Sequence, residues 1–247
     1  MINLLTVTIG FFVTFLGSVT QGLTGFGFGL VSVSMMIIFL PPKIVVPIIL
    51  IHSTLLTTVL LVGLRGEVDL KRIWPLIVAG IIGVPFGTYL LIGLDKNISK
   101  IFIGSVIILF ALVFLKGFKR KIKSEKLALA PVGFISGLLS GSAKMGGPPV
   151  ILFFTNQGMN KQVFRANIIA YFMALSLAAL PSFILGGLIT IEVIKYTTLF
   201  LPAMIFGVII GTKLVTKIKE NLFRDIALTI VIIAGLLSIA SSLCGYF

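Results

Sequence analysis

The sequence predicts an all-α integral membrane protein made of two inverted repeats. Each repeat is a glycine-rich re-entrant or broken helical hairpin followed by three transmembrane helices. Three observations carry that expectation: a strongly apolar composition, a pair of glycine-rich breaks at matching places, and an uneven distribution of Lys and Arg. Of the 247 residues, 58% are hydrophobic and 11% are charged, with a mean hydropathy of +1.21; a soluble domain carries about 25% charge.

The first apolar stretch, Leu4–Leu40, contains the break Gly22-Leu-Thr-Gly25-Phe-Gly27-Phe-Gly29. Its start has no basic segment and no small-residue cleavage site, so it reads as mature structure and not as a signal peptide. Runs near Ile44–Leu64, Ile73–Leu94 and Asn97–Leu115 follow; they approach or reach the ~20 residues that cross a hydrocarbon core. They complete a first membrane repeat over residues 1–117. A basic linker, 118–126, separates it from a second repeat, 127–247. The second repeat opens with Leu127–Phe154, which contains Gly141-Ser-Ala-Lys144-Met-Gly146-Gly147-Pro148-Pro149, and continues through Ile168–Ile189, Ile194–Thr212 and Ile226–Gly245.

The two breaks lie 119 residues apart, and Gly83-Val-Pro-Phe-Gly-Thr-Tyr-Leu matches Gly207-Val-Ile-Ile-Gly-Thr-Lys-Leu at an offset of 124. In a bilayer, backbone that leaves the helix must be buried in protein or line a cavity, because lipid cannot satisfy its polar groups. Paired interruptions at corresponding places of a duplicated membrane protein point to a transport site.

Charge decides between parallel and inverted repeats. If each glycine-rich stretch crosses once, the loop Lys and Arg divide 10 to 9, with no bias. If each enters and returns, one side holds Arg65, Lys71, Arg72, six residues of Lys116–Lys126, Lys161, Arg165, Lys213, Lys217, Lys219 and Arg224, which is 15. The other side holds Lys43, Lys96, Lys100 and Lys195, which is 4, and Lys144 lies within the second break. Such asymmetry is what the positive-inside rule produces. The expectation is a multi-pass plasma-membrane protein with a cytoplasmic central linker and both termini outside. The net charge of +13 belongs to these loops and does not indicate nucleic acid. A single cysteine, Cys244, excludes an intrachain disulfide and a cysteine-based metal cluster.

With its glycine-rich opening of each half, the Gly146-Gly147-Pro148-Pro149 run and Phe164-Arg165-Ala166 after it, the chain resembles the sulfite exporter TauE/SafE family of membrane transporters over essentially its whole length. The resemblance implies export of sulfite, organosulfonates or similar small sulfur anions. One departure is that Gly25 of the first break aligns with Lys144 in the second.

An anion leaving water needs fixed donors, and helix N-termini with close-approach glycine backbone supply them. The candidate substrate-binding residues are therefore Thr20, Gln21, Gly22, Thr24, Gly25 and Gly27 around the first break. Around the second they are Ser140, Gly141, Ser142, Lys144, Gly146, Gly147 and Pro148. A lysine within a membrane segment is costly and so a functional candidate, unless its stem snorkels to the interface. Arg165 could grip an oxyanion with both arms or be a charge at a cytoplasmic helix end; Asn167 poses the same question. His52, beside Ser53 in mid-span, could hold an anion or relay a proton, or simply pack between helices.

All seven acids lie at loops or helix ends, leaving no intramembrane carboxylate as a proton relay. Each negative charge leaving an inside-negative cell gains ~2.3 kcal/mol per 100 mV, so anion export needs no coupling ion. The expected function is a secondary transporter exporting a small anion by alternating access, one repeat moving against the other, without cofactor or metal. The alternatives are a proton-coupled importer of organic acids or sulfonates, a membrane-embedded enzyme and a non-transporting subunit. Partners are the anion and the lipid bilayer, with a homodimer left open.

Overall fold

The computed structural model describes residues 4–115, 125–156 and 159–215, with Thr229 besides; among these there are nine α-helices and no strand. The first half contains α1 (Leu4–Thr24), α2 (Phe28–Met36), α3 (Pro42–Val62), α4 (Leu70–Gly93) and α5 (Lys96–Leu115). The second contains α6 (Glu125–Ala143), α7 (Gly147–Asn156), α8 (Lys161–Leu185) and α9 (Ile191–Val215). The expected span Ile226–Gly245, Thr229 apart, and residues 118–124 of the linker lie outside the described residues. Five helices, α1, α3, α4, α8 and α9, are long and apolar enough to cross a membrane. At 9 and 10 residues and 1.5 Å per residue, α2 and α7 reach only about halfway.

Helix boundaries follow local chemistry. Asp69 accepts from the Arg72 N–H at 3.1 Å to cap α4, and Asp95 accepts from Asn97 and Ile98 at 2.8 and 2.9 Å to cap α5. Acids at these positions meet orphan N–H groups and the positive end of the helix dipole, which explains why they sit at helix ends. Asn160 caps α8 through Val163 N–H at 2.9 Å. That helix therefore starts seven residues before the apolar run at Ile168, and Arg165 and Asn167 become buried helical residues instead of loop groups. Likewise α6 begins at Glu125, two residues ahead of the expected start of the second repeat.

The two most extensive helix interfaces join the halves: α1 with α9, and α4 with α6. Both are lined by small residues. A Cβ on Gly22 would meet Val208 O at 2.9 Å and Gly211 Cα at 3.1 Å, and one on Gly207 would meet Phe15 O at 2.6 Å. Across α4 and α6, a Cβ on Gly83 would collide with Phe134 O, on Gly137 with Gly80 O, and on Gly141 with Val84 O. Without a hydrophobic drive between helices in lipid, such close backbone approach supplies the attraction through dispersion. The outward faces of α4 and α9 carry Trp74, Ile82, Phe86, Phe206 and Ile209, all exposed. On a soluble monomer they would form an unusually large apolar patch; in a membrane they face lipid.

Contact register fixes helix directions. Gly10 of α1 lies against Phe200 of α9 and Gly22 against Gly211, so these two run the same way. Gly133 lies against Leu76 and Gly141 against Val84, so α6 runs with α4. Asp69 N–H donates to Asn167 Oδ1 at 2.8 Å and Gly186 lies against Ile92, so α8 also runs with α4. Two lysines tie antiparallel neighbours. Lys43 donates to Ile92 O at 2.8 Å, joining the start of α3 to the end of α4, and Lys161 donates to Val215 O at 3.2 Å, joining the start of α8 to the end of α9. Helices α1, α3 and α9 thus point one way, and α4, α6 and α8 the other. Because α1 and α3 share a direction, the chain between them doubles back through α2; α7 does the same between α6 and α8.

Candidate functional site

Each doubling-back begins at a short non-helical turn. In the first, Gly25 and Gly27 take left-handed φ of 86° and 98°, a region open to glycine at little cost. Gly25 N–H donates to Gln21 O at 2.7 Å. Thr24, instead of facing a ligand, fastens the turn: its hydroxyl reaches Thr20 O at 2.9 Å and Phe26 O at 2.7 Å, and accepts from Phe26 N–H at 3.2 Å. In the second, Lys144 N–H donates to Ser140 O at 3.1 Å, 119 residues on from the Gly25 bond, and Lys144 has φ 54°. It is the non-glycine residue with positive φ among those described. The two breaks touch, since a Cβ on Gly29 would collide with Lys144 O.

Between the breaks lies a cavity of about 30 Å³ lined by Gln21, Phe26, Gly27, Gly29, Leu30, Ile49, Ser53, Ser140, Lys144, Gly147, Phe172 and Ser176. That is room for two or three waters, far below the size of a drug-like site, and suits a very small solute. Ile49 and Ser53 lie near the middle of α3, and Phe172 and Ser176 near the middle of α8, so the cavity sits at mid-length of the bundle. The N-terminal ends of α2 and α7 open onto it, at Gly27, Gly29 and Leu30 and at Gly147. None of its lining residues is acidic. The α2 N-terminus has no side-chain cap.

Lys144 does not snorkel. Its ammonium donates to Ser176 Oγ at 3.1 Å, 15 residues into α8. An ammonium has three donors, and Ser176 is its one hydrogen-bond partner among the described residues.

The sequence candidates divide cleanly by position. Gln21, Gly27, Ser53, Ser140, Lys144 and Gly147 line the cavity. Thr20 and Ser142 bond back to Leu16 O and Leu138 O within their own helices, at 2.9 and 2.8 Å. Gly22 and Gly141 serve the interfaces with α9 and α4, and Gly25 packs against Ile169. Gly146 O accepts from Ser136 Oγ at 2.5 Å, and Pro148 is buried in the first turn of α7.

Three further candidates hold elements together. Arg165, 3% exposed, donates through Nη2 to Gly22 O at 2.7 Å, and its Nε has no partner. A guanidinium near the carbonyl end of α1 also complements that helix dipole. Asn167 accepts from Asp69 N–H. The His52 Nε2 and Thr197 O are 3.0 Å apart, and the imidazole stands edge-on to Phe28 at 6.0 Å. A carbonyl only accepts, which assigns the proton to Nε2. The cavity also takes in Ser176, Leu30, Ile49 and Phe172, with Phe26 and Gly29 of the first break, none of them among the binding candidates read from the sequence.

No curated protein and no solved structure matches the chain. A model of the sulfite exporter TauE/SafE family matches residues 10–238. That match covers nearly the full length, both breaks included, and the chain belongs to the sulfite exporter TauE/SafE family.

Proposed function

We propose that the protein is a secondary transporter that exports a small sulfur oxyanion, sulfite or an organosulfonate, by alternating access at the cavity between the two breaks. One observation carries this reading. Two half-helix N-termini, the Lys144 ammonium and the polar side chains of Gln21, Ser53, Ser140 and Ser176 converge on one acid-free cavity at mid-length. Helix N-termini and a fixed cation replace the water an anion loses on entry. The family supplies the chemical class of the solute.

The inverted-repeat architecture is part of the same proposal. Exchanging α1 with α6, α3 with α8 and α4 with α9 reverses every direction yet maps the main interfaces onto themselves, α1–α9 onto α6–α4 and α3–α9 onto α8–α4. The α2 and α7 returns support re-entrant hairpins, and the 15-to-4 charge division supports a cytoplasmic linker. Proton-coupled import through His52 is the weaker reading, because that imidazole lies outside the cavity lining and its Nε2 is held by Thr197 O.

The test is efflux of radiolabelled sulfite from proteoliposomes at clamped potential. Efflux should rise with inside-negative potential, since each charge gains ~2.3 kcal/mol per 100 mV. Lys144→Ala should lower it at least about tenfold, the equivalent of a lost contact worth about 1.4 kcal/mol. Sulfite accumulation against an opposing potential would overturn the export reading.

A further inference from the structure

The two breaks match in backbone at Gly25 and Lys144, both in the left-handed region, and are unequal in chemistry. At the N-terminus of α2, Phe28, Gly29 and Leu30 all carry N–H groups, and no side chain caps them. At the N-terminus of α7, Pro148 and Pro149 carry none. The second break compensates with Lys144, a cation held in the left-handed backbone that glycine occupies at the matching place in the first. For a non-glycine residue that conformation is strained, and strain of this kind is kept where function needs the side chain placed. The Lys144 stem therefore does not sit there for backbone reasons; Gly25 shows that glycine suits the turn.

The charge presented to a solute follows. Each helix N-terminus acts as roughly half a positive charge. One ammonium and the two N-termini, with α7 contributing less for want of the Pro148 and Pro149 N–H groups, balance between about one and two negative charges, and no acidic side chain lining the cavity offsets them. Without Lys144 the balance falls to about one or less.

Resting on the anion-transport reading above, we infer that Lys144 sets the charge selectivity of the cavity, making it a site for small divalent oxyanions over monovalent ones of the same shape. Ser176 positions the ammonium through its hydroxyl. The cavity admits a solute of a few heavy atoms, so discrimination between sulfate-like and sulfonate-like anions comes from charge and not from bulk.

The experiment compares sulfate, divalent at neutral pH, with methanesulfonate, its monovalent counterpart, in proteoliposomes of the full chain and its Lys144→Gly and Lys144→Arg variants. Lys144→Gly relieves the backbone strain, so it is expected to fold and to unfold at a higher temperature than the parent. The expected result is a parent that prefers sulfate by about tenfold or more. Lys144→Gly loses that preference chiefly by losing sulfate flux, while Lys144→Arg keeps it. Equal loss of both fluxes in Lys144→Gly, or a parent that prefers methanesulfonate, overturns the charge assignment and leaves anion transport standing. A folded parent that moves neither anion, nor sulfite, overturns the transport reading itself.

Discussion

At the scale of single residues, depth decides what a charge does. Arg165 and Lys144 are both basic, yet the first is closed onto a carbonyl and the second onto a cavity. Arg165→Ala leaves Gly22 O without its donor in a buried place, and an unsatisfied buried group costs about 1–3 kcal/mol. Arg165→Met removes the same bond but keeps the volume and removes the buried charge, so it should unfold at a temperature between those of the parent and the alanine variant. Thermal unfolding in detergent orders the three; Met falling below Ala would refute the role. Lys144 was legible in the sequence because a lysine among apolar residues is conspicuous. Ser176 was not, since serines are at home in membrane helices, where they bond back to their own backbone. The part played by Arg165 was hidden for another reason: its partner is a backbone carbonyl, which no residue type advertises.

At the scale of elements, small residues set how closely the helices approach. Gly137→Ala would force α6 away from Gly80 O, and Gly211→Ala would force α9 from Val19 O. Overpacking of this kind costs about 1–3 kcal/mol, and both variants should lower the unfolding temperature by similar amounts. Gly93 has open space around its missing Cβ, so Gly93→Ala should be neutral or stabilising by up to about 1 kcal/mol. The same melting assay reads all three, and a destabilising Gly93→Ala would contradict the account. The spacing of Gly83 with Gly87, Gly133 with Gly137 and Gly141, and Gly207 with Gly211 is visible in the sequence. Which helix each stripe meets is not, because small residues say that something comes close without saying what. Helix starts were legible wherever apolar periodicity began at the cap. At α8 the first turns carry Lys161, Arg165 and Asn167, which look like loop until their burial is known.

At the scale of the whole molecule, the glycine-rich breaks were readable, and the directions of the helices follow from contacts that only folding creates. The orientation across the membrane is checked by single thiols in a Cys244→Ser background. Gly66→Cys, in the 3₁₀ turn Arg65–Glu67 before α4, and Asn97→Cys, exposed at the start of α5, belong to opposite ends of the bundle. An impermeant thiol reagent should reach the first only from the cytoplasmic face and the second only from outside. Labelling of both from one face would reject the arrangement.

The pairing of α1 with α9 and of α6 with α4 also separates the order of the chain from the order of packing. Residues 1–117 alone would contain α1 without the surface its small residues fit, and the same holds for α6 in 127–247. Neither piece completes itself. Cut within the linker and produced together, the two fragments should reassemble into a complex that survives purification. Produced singly, each should be degraded or should pair with an oppositely inserted copy of itself. The halves of this chain are thus related less like two domains than like the two strands of a clasp, each finished by the other.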